Sequence, residues 1–422
     1  MALYLRKSAV LVVALLALLA SGCAPTVKPM ESPIGNPEEP YPPSHPPKVG
    51  DILHLPTGIY VSESQMLDIA TQARIVYVGE THDNPAAHRL ELAVLRTLTD
   101  RYPGQVALGM EMFTPDQQKA LDQWVAGKLT EKEFLRKSRW YQVWRMNYAY
   151  YKPILDFARE RKIPVIGLNA EKSTVDALIH HDLAQLSEKE RNKIPAEMDL
   201  TDPYQRAMVK ATFAGHEHGS GELAAFERVQ TLWDETMAHN VAAYLGSAAG
   251  KNRHMMVMAG GNHIQYGFGI PRRVFRRLPT SYVLVGSREI VIPKDMRDRL
   301  MNIHPPEFPM PPYDFVEFTR YEKLPQEGVA LGVLLGEKNG RVVVEGVMPG
   351  SSAAEAGLKK GDVLLRLGNE PLTDTFDVIY AVKQEAAGEK ATLVIERDGR
   401  QMPLEITFEK LPPHGHGNPE GK

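Results

Sequence analysis

The chain has 422 residues, a length that suggests two or three domains. Hydrophobic residues make up 43% and charged residues 24% of the chain, ordinary globular values that exclude a wholly disordered, collagen-like or polytopic membrane protein. The formal net charge of -3 provides no broad basic field for a phosphate backbone, so we expect no nucleic acid partner.

Residues 1–22 have the composition of an export signal. Arg6 and Lys7 precede a short apolar run at 9–20, which ends in small residues before Cys23, the chain's single cysteine. The run is too short to span a membrane as a helix. Leu-Ala-Ser-Gly-Cys at 19–23 resembles a bacterial lipobox, which implies cleavage before Cys23 and lipidation of that residue. We therefore expect a lipoprotein signal peptide and a mature protein anchored in the cell envelope, at the outer membrane of a Gram-negative host.

Two proline-rich stretches divide the rest of the chain. Residues 23–50 contain many prolines and few aliphatic side chains, which predicts an extended tether. A second proline cluster predicts a linker at 296–323. These stretches bound an α/β domain at 51–295 and a smaller domain at 324–411, and the glycine-containing tail at 412–422 is predicted to be disordered.

The large domain alternates short apolar runs with longer amphipathic ones. This pattern predicts an α/β fold with a mostly parallel sheet and flanking helices. Buried strands are predicted at 74–78, 105–110, 163–168, 254–258 and 282–285. Helices are predicted at 86–99, 115–125, 154–161 and 224–245.

Polar side chains follow the predicted strands. Glu80 and His82 come after the first strand, Glu111 after the second and His263 after the fourth. Because ligands bind beyond the carboxyl ends of the strands in open α/β sheets, we expect these four side chains to share one cleft. One such residue alone is more often a helix cap or a solvated turn, an alternative that weakens when polar residues follow four strands, with Asn169 after the third.

These two carboxylates and two imidazoles form a mixed oxygen and nitrogen donor set. Such a set suits manganese, iron, cobalt or zinc better than calcium. Without a metal, two glutamates in one cleft should raise the pKa of one of them and create a general acid or base. Glu80 and Glu111 are therefore candidates for general acid or base catalysis.

Several segments of this domain together resemble the ChaN-like haem-binding lipoproteins of the Tiki and erythromycin-esterase-like superfamily. They are Gly-Glu-Thr-His at 79–82, Leu-Gly-Met-Glu-Met-Phe at 108–113, Leu-Asn-Ala at 168–170, the helix at 230–238 and Gly-Asn-His-Ile-Gln-Tyr-Gly at 261–267. The family implies an iron-related surface lipoprotein that binds haem, often as a homodimer. The superfamily implies instead a metal-assisted hydrolase that uses Glu80, His82, Glu111 and His263.

Haem iron needs an axial ligand such as a phenolate or an imidazole. The resemblance favours tyrosine, and the predicted cofactor-binding residues are Tyr148, Tyr150, Tyr151, Tyr266 and His263. An aromatic cluster at helical spacing is more often core packing, and that alternative stays open.

The smaller domain has a β-rich pattern. Strands are predicted at 342–347, 363–367, 391–397 and 402–408, and one helix at 375–385. Ala-Leu-Gly-Val at 330–333 and Ala-Gly-Leu-Lys-Lys-Gly-Asp-Val-Leu at 356–364 resemble a bacterial PDZ domain.

A PDZ domain implies capture of a partner's C-terminal peptide as an added strand. The predicted peptide-binding residues are Ala330, Leu331, Gly332, Val333, Phe376 and Ile379. A docking module with an empty groove is the alternative.

Three hypotheses follow from the sequence. The first is an exported, lipid-anchored haem-binding protein whose PDZ domain recruits a partner. The second is a divalent-metal-dependent hydrolase that uses the same cleft. The third is an envelope scaffold with an inert cleft.

Overall fold

The computed structural model describes residues 36–215, 222–299, 303–324 and 328–410. The predicted signal peptide, Cys23 and the predicted tail lie outside these residues. Within the described part of the chain, no helix has the length and apolar character needed to cross a membrane.

Eight strands form the sheet of the large domain. They are β1 (Ile52–His54), β2 (Ile59–Val61), β3 (Ile75–Glu80), β4 (Val106–Met110), β5 (Val165–Gly167), β6 (His254–Gly260), β7 (Tyr282–Val291) and β8 (Phe315–Arg320). Their order across the sheet is β2-β1-β8-β7-β3-β6-β4-β5. Strands β3 to β8 pair in parallel, whereas β1 pairs antiparallel with both β2 and β8. The predicted α/β fold with a mostly parallel sheet is confirmed.

Helices pack on both faces of this sheet. They are α1 (Glu63–Ala70), α2 (Pro85–Arg101), α3 (Gln118–Val125), α4 (Glu131–Lys137), α5 (Trp140–Val143), α6 (Lys152–Arg161), α7 (Lys172–His180), α8 (Glu188–Arg191), α9 (Pro203–Gly215), α10 (Leu223–Gly246), α11 (Gly261–Ile264) and α12 (Ile270–Arg277). The sequence at 84–86 favours the start of helix α2. Asn84 caps the helix by accepting a hydrogen bond from the Ala86 amide, and Pro85 occupies the first helical position.

The central strands are buried on both faces, which explains their continuous apolar runs. Along β3, Val76 and Val78 lie in one core, with α2, α3 and α6. Ile75 and Tyr77 lie in the other core, with α10 and α12. This alternation follows from the two-residue period of a strand.

Strand β8 lies inside the predicted linker at 296–323. It pairs in parallel with β7, and Phe315, Val316 and Phe318 are buried. The prediction of a linker is therefore wrong for 315–320, because the chain returns to the sheet after its prolines. The end of the predicted tether is held in a similar way, since the Gly50 amide donates to the Phe318 carbonyl at 2.8 Å and the His45 ring stacks on Tyr60 at 4.1 Å.

The smaller domain is built mainly from antiparallel strands. They are β9 (Val329–Ala330), β10 (Val333–Lys338), β11 (Arg341–Val347), β12 (Val363–Leu367), β13 (Glu370–Pro371), β14 (Lys390–Arg397), β15 (Arg400–Thr407) and β16 (Glu409–Lys410). Strands β10-β11-β12-β14-β15 form one sheet, with β13 on β12, and β16 pairs with β9. The helices are α13 (Ser352–Glu355) and α14 (Thr375–Gln384).

Candidate functional site

The carboxyl ends of β3, β4 and β6 meet at one edge of the sheet. Strand β6 lies between β3 and β4, and Glu80 at the end of β3 is in register with Gly260 at the end of β6. Glu111 follows β4 directly, and the short helix α11 carries His263 away from the end of β6. Parallel pairing therefore places the four predicted cleft residues at neighbouring strand ends.

Glu80 and His82 form the first half of the cleft. His82 Nδ1 donates to Glu80 Oε1 at 2.6 Å, and the Tyr151 hydroxyl donates to the same oxygen at 3.2 Å. The Glu80 side chain is fully buried, whereas the His82 side chain is 36% exposed. Since a carboxylate only accepts, the proton lies on Nδ1 and the lone pair of His82 is on Nε2.

His263 and Glu111 form the second half. His263 Nδ1 donates to Asp234 Oδ1 at 2.7 Å, and Gln205 Nε2 donates to Asp234 Oδ2 at 2.6 Å. His263 Nε2 lies 3.5 Å from Glu111 Oε1, and Glu111 Oε2 accepts from the Gly260 amide at 2.7 Å. Each imidazole of the cleft is therefore oriented by a carboxylate, the arrangement found around metal-ligating histidines.

Gly260 lies between the two halves. A Cβ at this position would lie 2.9 Å from His82 Nε2 and 3.7 Å from Glu111 Oε2. A side chain here would thus press against the free nitrogen of His82. The absence of a side chain at Gly260 leaves an open space beside His82 Nε2 and Glu111 Oε2, which we call the cradle.

Negative charge governs the ionisation of both histidines. Burial by itself would lower the pKa of His82, but the hydrogen bond to Glu80 and the charges of Glu80 and Glu111 raise it above its ordinary value. Burial also opposes the charge on His263, yet Glu111 and Asp234 raise its pKa to about 9. The charges that hold these protons are also suited to hold a cation.

A deeper cluster lies behind Glu80. His88 Nδ1 lies 3.1 Å from Glu80 Oε2 and 2.9 Å from Glu91 Oε2, and His88 Nε2 donates to the His82 carbonyl at 3.0 Å. Despite burial, Glu80 and Glu91 raise the pKa of His88 to about 9. Burial and the neighbouring Glu80 raise the pKa of Glu91 well above its ordinary value. Within the described residues, Glu80, His88 and Glu91 are the one group of three whose potential ligand atoms all lie within 4.8 Å of each other.

Sequence reasoning missed His88, Glu91 and Asp234. His88 and Glu91 are three residues apart on α2, so they share the helix face that looks toward Glu80. That spacing was a usable signal. No sequence signal separates Asp234 from its neighbour Glu235, which is paired with Arg273 instead.

Three of the predicted cofactor-binding tyrosines are buried. Tyr148 packs against Trp140 at 5.5 Å between ring centroids and against Phe134 at 6.4 Å. Because these rings enclose Tyr148, a flat cofactor cannot reach either face of it. Tyr148 is therefore a core residue. Tyr150 lies beside His88 at 5.5 Å, and Tyr151 reaches the cleft through its hydroxyl on Glu80.

Tyr266 belongs to a separate aromatic cluster. Its hydroxyl donates to Glu38 at 3.2 Å, and its ring lies 5.2 Å from Phe268 and 4.7 Å from Phe308. Tyr204 stacks on Phe268 at 5.5 Å and is 44% exposed. The structure therefore brings Glu80, His82, Glu111, His263 and Tyr151 together and leaves Tyr266 in this second cluster.

The predicted peptide-binding loop precedes an edge strand. Ala330 pairs with Glu409, the buried Leu331 contributes to the core of the smaller domain, and Gly332 has a φ of +78°. Val333 begins β10, which forms one edge of its sheet. An edge strand is where a peptide would add.

Phe376 is not placed as predicted. Its ring lies 5.8 Å from Tyr141 of the large domain, and the Arg136 guanidinium lies over it at 4.4 Å. Phe376 therefore packs against the large domain, and its assignment to the peptide groove is wrong. Ile379, three residues further along α14, is half-buried, and its role stays a prediction.

Comparison with protein families finds two matching models. Residues 66–274 match the family described as haem-binding uptake, Tiki superfamily, ChaN. Residues 343–397 match a PDZ domain. The first match contains every residue of the cleft described above.

Among solved structures, the chain is similar to ChaN of Campylobacter jejuni, described as binding haem cofacially, with 15% identity and a TM-score of 0.49 over 63% of this chain and 95% of that one. Among curated proteins, a probable DegP-like periplasmic serine endoprotease of Marinomonas sp. is 33% identical over 78 residues, 18% of this chain and 16% of that protein. Serine protease HTRA1 of Xenopus tropicalis is 39% identical over 73 residues, 17% of this chain and 15% of that protein. The chain thus spans about a sixth of the length of these curated relatives.

Proposed function

Because this chain joins a ChaN-family domain of the Tiki superfamily to a PDZ domain, we propose that it is a haem-binding protein of the bacterial cell envelope. In this proposal the Glu/His cleft holds haem, and the PDZ domain captures the C-terminal peptide of a partner. The proposal extends to anchorage through lipidated Cys23, a role in iron uptake and association as a homodimer.

The observation that carries the proposal is the environment of His82. Its Nδ1 is bound to a buried carboxylate, its Nε2 faces the cradle at Gly260, and over a third of its side chain is exposed. A hydrogen bond from Nδ1 to a carboxylate increases the basicity of Nε2 as an iron ligand. His82 Nε2 would thus serve as the donor to the iron that a bound haem would supply.

The walls of the cleft also suit a flat aromatic ligand. The Trp144 ring stands edge-on to the His82 ring, with centroids 5.0 Å apart. Arg145, the next residue, is exposed, in a position suited to meet an anionic propionate. Arg273, by contrast, is buried against Glu235 and does not serve this purpose.

Haemin titration of the mature chain tests this proposal. We expect a Soret band that saturates at stoichiometric haemin. His82→Ala should weaken binding by about 10- to 100-fold, the usual cost of altering a ligand or its support. His180→Ala, at the exposed end of α7, is the matched control and should bind as the unaltered chain does. Absence of a Soret band at stoichiometric haemin would remove the proposal.

A divalent-metal hydrolase is the second candidate, and the geometry of Glu111 favours it. Glu111 Oε1 lies 3.5 Å from His263 Nε2, and the cradle lies between Glu111 Oε2 and His82 Nε2. His82, His263 and Glu111 offer nitrogen and oxygen donors for manganese, iron, cobalt or zinc. Among the described residues only Glu80, His88 and Glu91 have ligand atoms all within 4.8 Å of one another, so His82, His263 and Glu111 would have to draw together around a cation. A bound cation would supply a Lewis acid and an activated water. Glu80 is fully buried and bonded to His82 and Tyr151, so the chain offers Glu111, whose side chain is 7% exposed, rather than Glu80 as the base.

Cobalt binding separates these two candidates. Dialysis against Co²⁺ should give about one bound ion per chain only if the second candidate is correct. Glu111→Gln should then lose the ion and any turnover of peptide or ester substrates. Retention of both by this variant would exclude the metal-dependent role.

A further inference from the structure

The first turn of α14 joins the PDZ domain to the ChaN-family domain through charged groups. Arg136 of α4 donates to Asp377 Oδ1 at 2.7 Å and also pairs with Asp374. The Lys132 ammonium lies 2.8 Å from Glu370 and 3.0 Å from Asp377. Asp377 is 5% exposed, so two cations of one domain converge on a buried carboxylate of the other.

Aromatic side chains extend this contact. Phe376 packs under Arg136 and lies 5.8 Å from Tyr141, and the Lys383 ammonium lies 5.4 Å from the centre of the Tyr141 ring. Tyr141 belongs to α5, a short helix of one turn. The PDZ domain therefore contacts α5 as well as α4.

Helix α5 leads directly to the cleft. Trp144 follows its last residue and lies three positions after Tyr141. The centroid of the Trp144 ring lies 5.0 Å from that of His82 and 6.2 Å from that of Tyr151. One short segment thus carries a PDZ contact and a cleft wall.

This segment is held in a strained conformation. Arg139 has a φ of 53° and Arg145 a φ of 68°, so a non-glycine residue in the left-handed region stands at each end of 140–144. Such conformations persist only where the surrounding structure imposes them. The PDZ contact at Tyr141 lies between these two strained residues.

We propose that the PDZ domain is a positioning element of the cleft: through Arg136, Asp377 and Phe376 it holds the segment at 139–145 and so fixes Trp144 against His82. The inference deepens the proposed function, because Trp144 is part of the wall of that same site. Arg136 and Asp377 are positioning residues, because in this proposal they act on the cleft through Trp144.

Hydrogen exchange on the full chain tests the inference without any added ligand. Arg136→Ala should speed amide exchange at 139–145 by about tenfold, since local opening follows the loss of local contacts. Asp377→Asn breaks the same contact from the PDZ side and should act in the same direction. Arg341→Ala, which removes a surface pair with Glu396 inside the PDZ domain, is the control and should leave 139–145 unchanged. Unchanged exchange at 139–145 in both interface variants, with β14 and β15 still protected, would overturn the inference.

Trp144 fluorescence provides the positional readout. The Trp144 signal is the difference between each chain and its Trp144→Phe counterpart. Acrylamide should quench this signal more strongly in Arg136→Ala than in the unaltered chain, and Arg136→Lys, which keeps the charge, should restore protection. Equal quenching in all three chains would contradict positioning. Haemin is absent throughout, so a failed Soret titration would leave this result intact, and the two proposals can fail separately.

Discussion

The Glu/His cleft and the predicted peptide-binding loop at 330–333, the PDZ loop, are held together by different kinds of interaction. The cleft depends on buried charges from distant parts of the chain, with Glu80, Glu111, Asp234 and His263 brought together by parallel strands and α10. The PDZ loop depends on backbone contacts inside the smaller domain, because the Leu331 and Gly332 carbonyls accept hydrogen bonds from the Ala353 and Met348 amides at 2.9 Å. A change in the cleft therefore disturbs partners far away in sequence, whereas a change in the loop stays local.

The largest expected effect comes from removing Glu80. Glu80→Ala leaves His82 and Tyr151 without their shared acceptor and removes the negative charge 3.1 Å from His88, all in a buried setting. Breaking a buried ion pair from one side costs about 3–5 kcal/mol, and we expect a loss of this size in the free energy of unfolding. Urea denaturation measures it, with Glu160→Ala at a 72% exposed position as the control. A loss below about 1 kcal/mol would show that the cluster is not electrostatically coupled.

Gly332→Ala tests the local character of the PDZ loop. A Cβ at this residue would lie 2.2 Å from Ser351 Cβ, and the φ of +78° is unfavourable for alanine. We expect a destabilisation of about 1–3 kcal/mol confined to the PDZ domain. Hydrogen exchange should rise in β10 and β11 and stay constant in β3 and β6. Faster exchange in β3 would break the contrast between the two sites.

Acid should loosen the contact between the PDZ domain and the large domain. Burial by itself would raise the pKa of Asp377, but hydrogen bonds from Thr373 and Lys132 lower it below its ordinary value. A lowered folded pKa means that this stabilisation is complete above the ordinary aspartate pKa and is lost as the pH falls through the folded value. Exchange at 139–145, followed from pH 5 downward after correction for intrinsic rates, should therefore rise only below about pH 4. Asp377→Asn should remove this dependence.

The smallest effect is expected for Arg341→Ala. Arg341 pairs with Glu396 at 2.8 Å, and its side chain is 44% exposed. Exposed pairs contribute little because water and salt screen them. Thermal unfolding should show no resolvable change, and a clear shift would indicate that this surface pair supports the PDZ sheet.

Prediction succeeded where the signal was periodic or local. The strand predicted at 363–367 coincides with β12, and the predicted cleft residues follow the strands that the structure shows. Prediction failed where partners came from elsewhere in the fold. Residues 315–320 were predicted to be part of a linker because the prolines before them are a local signal, whereas their pairing with β7 is not. Phe376 was predicted to line the peptide groove because its contact with Tyr141, which is distant in sequence, leaves no local signal.

The sequence by itself determined the two domain types, the order of the main elements and four residues of the cleft, because hydrophobic period and strand-end motifs are local properties of the chain. Only the tertiary structure decided which carboxylate orients which histidine, that His88 and Glu91 lie behind Glu80, and that α14 packs against the large domain. These contacts form between side chains that are buried together and must satisfy one another's hydrogen bonds and charges. Which side chains are buried together depends on packing between segments far apart in sequence.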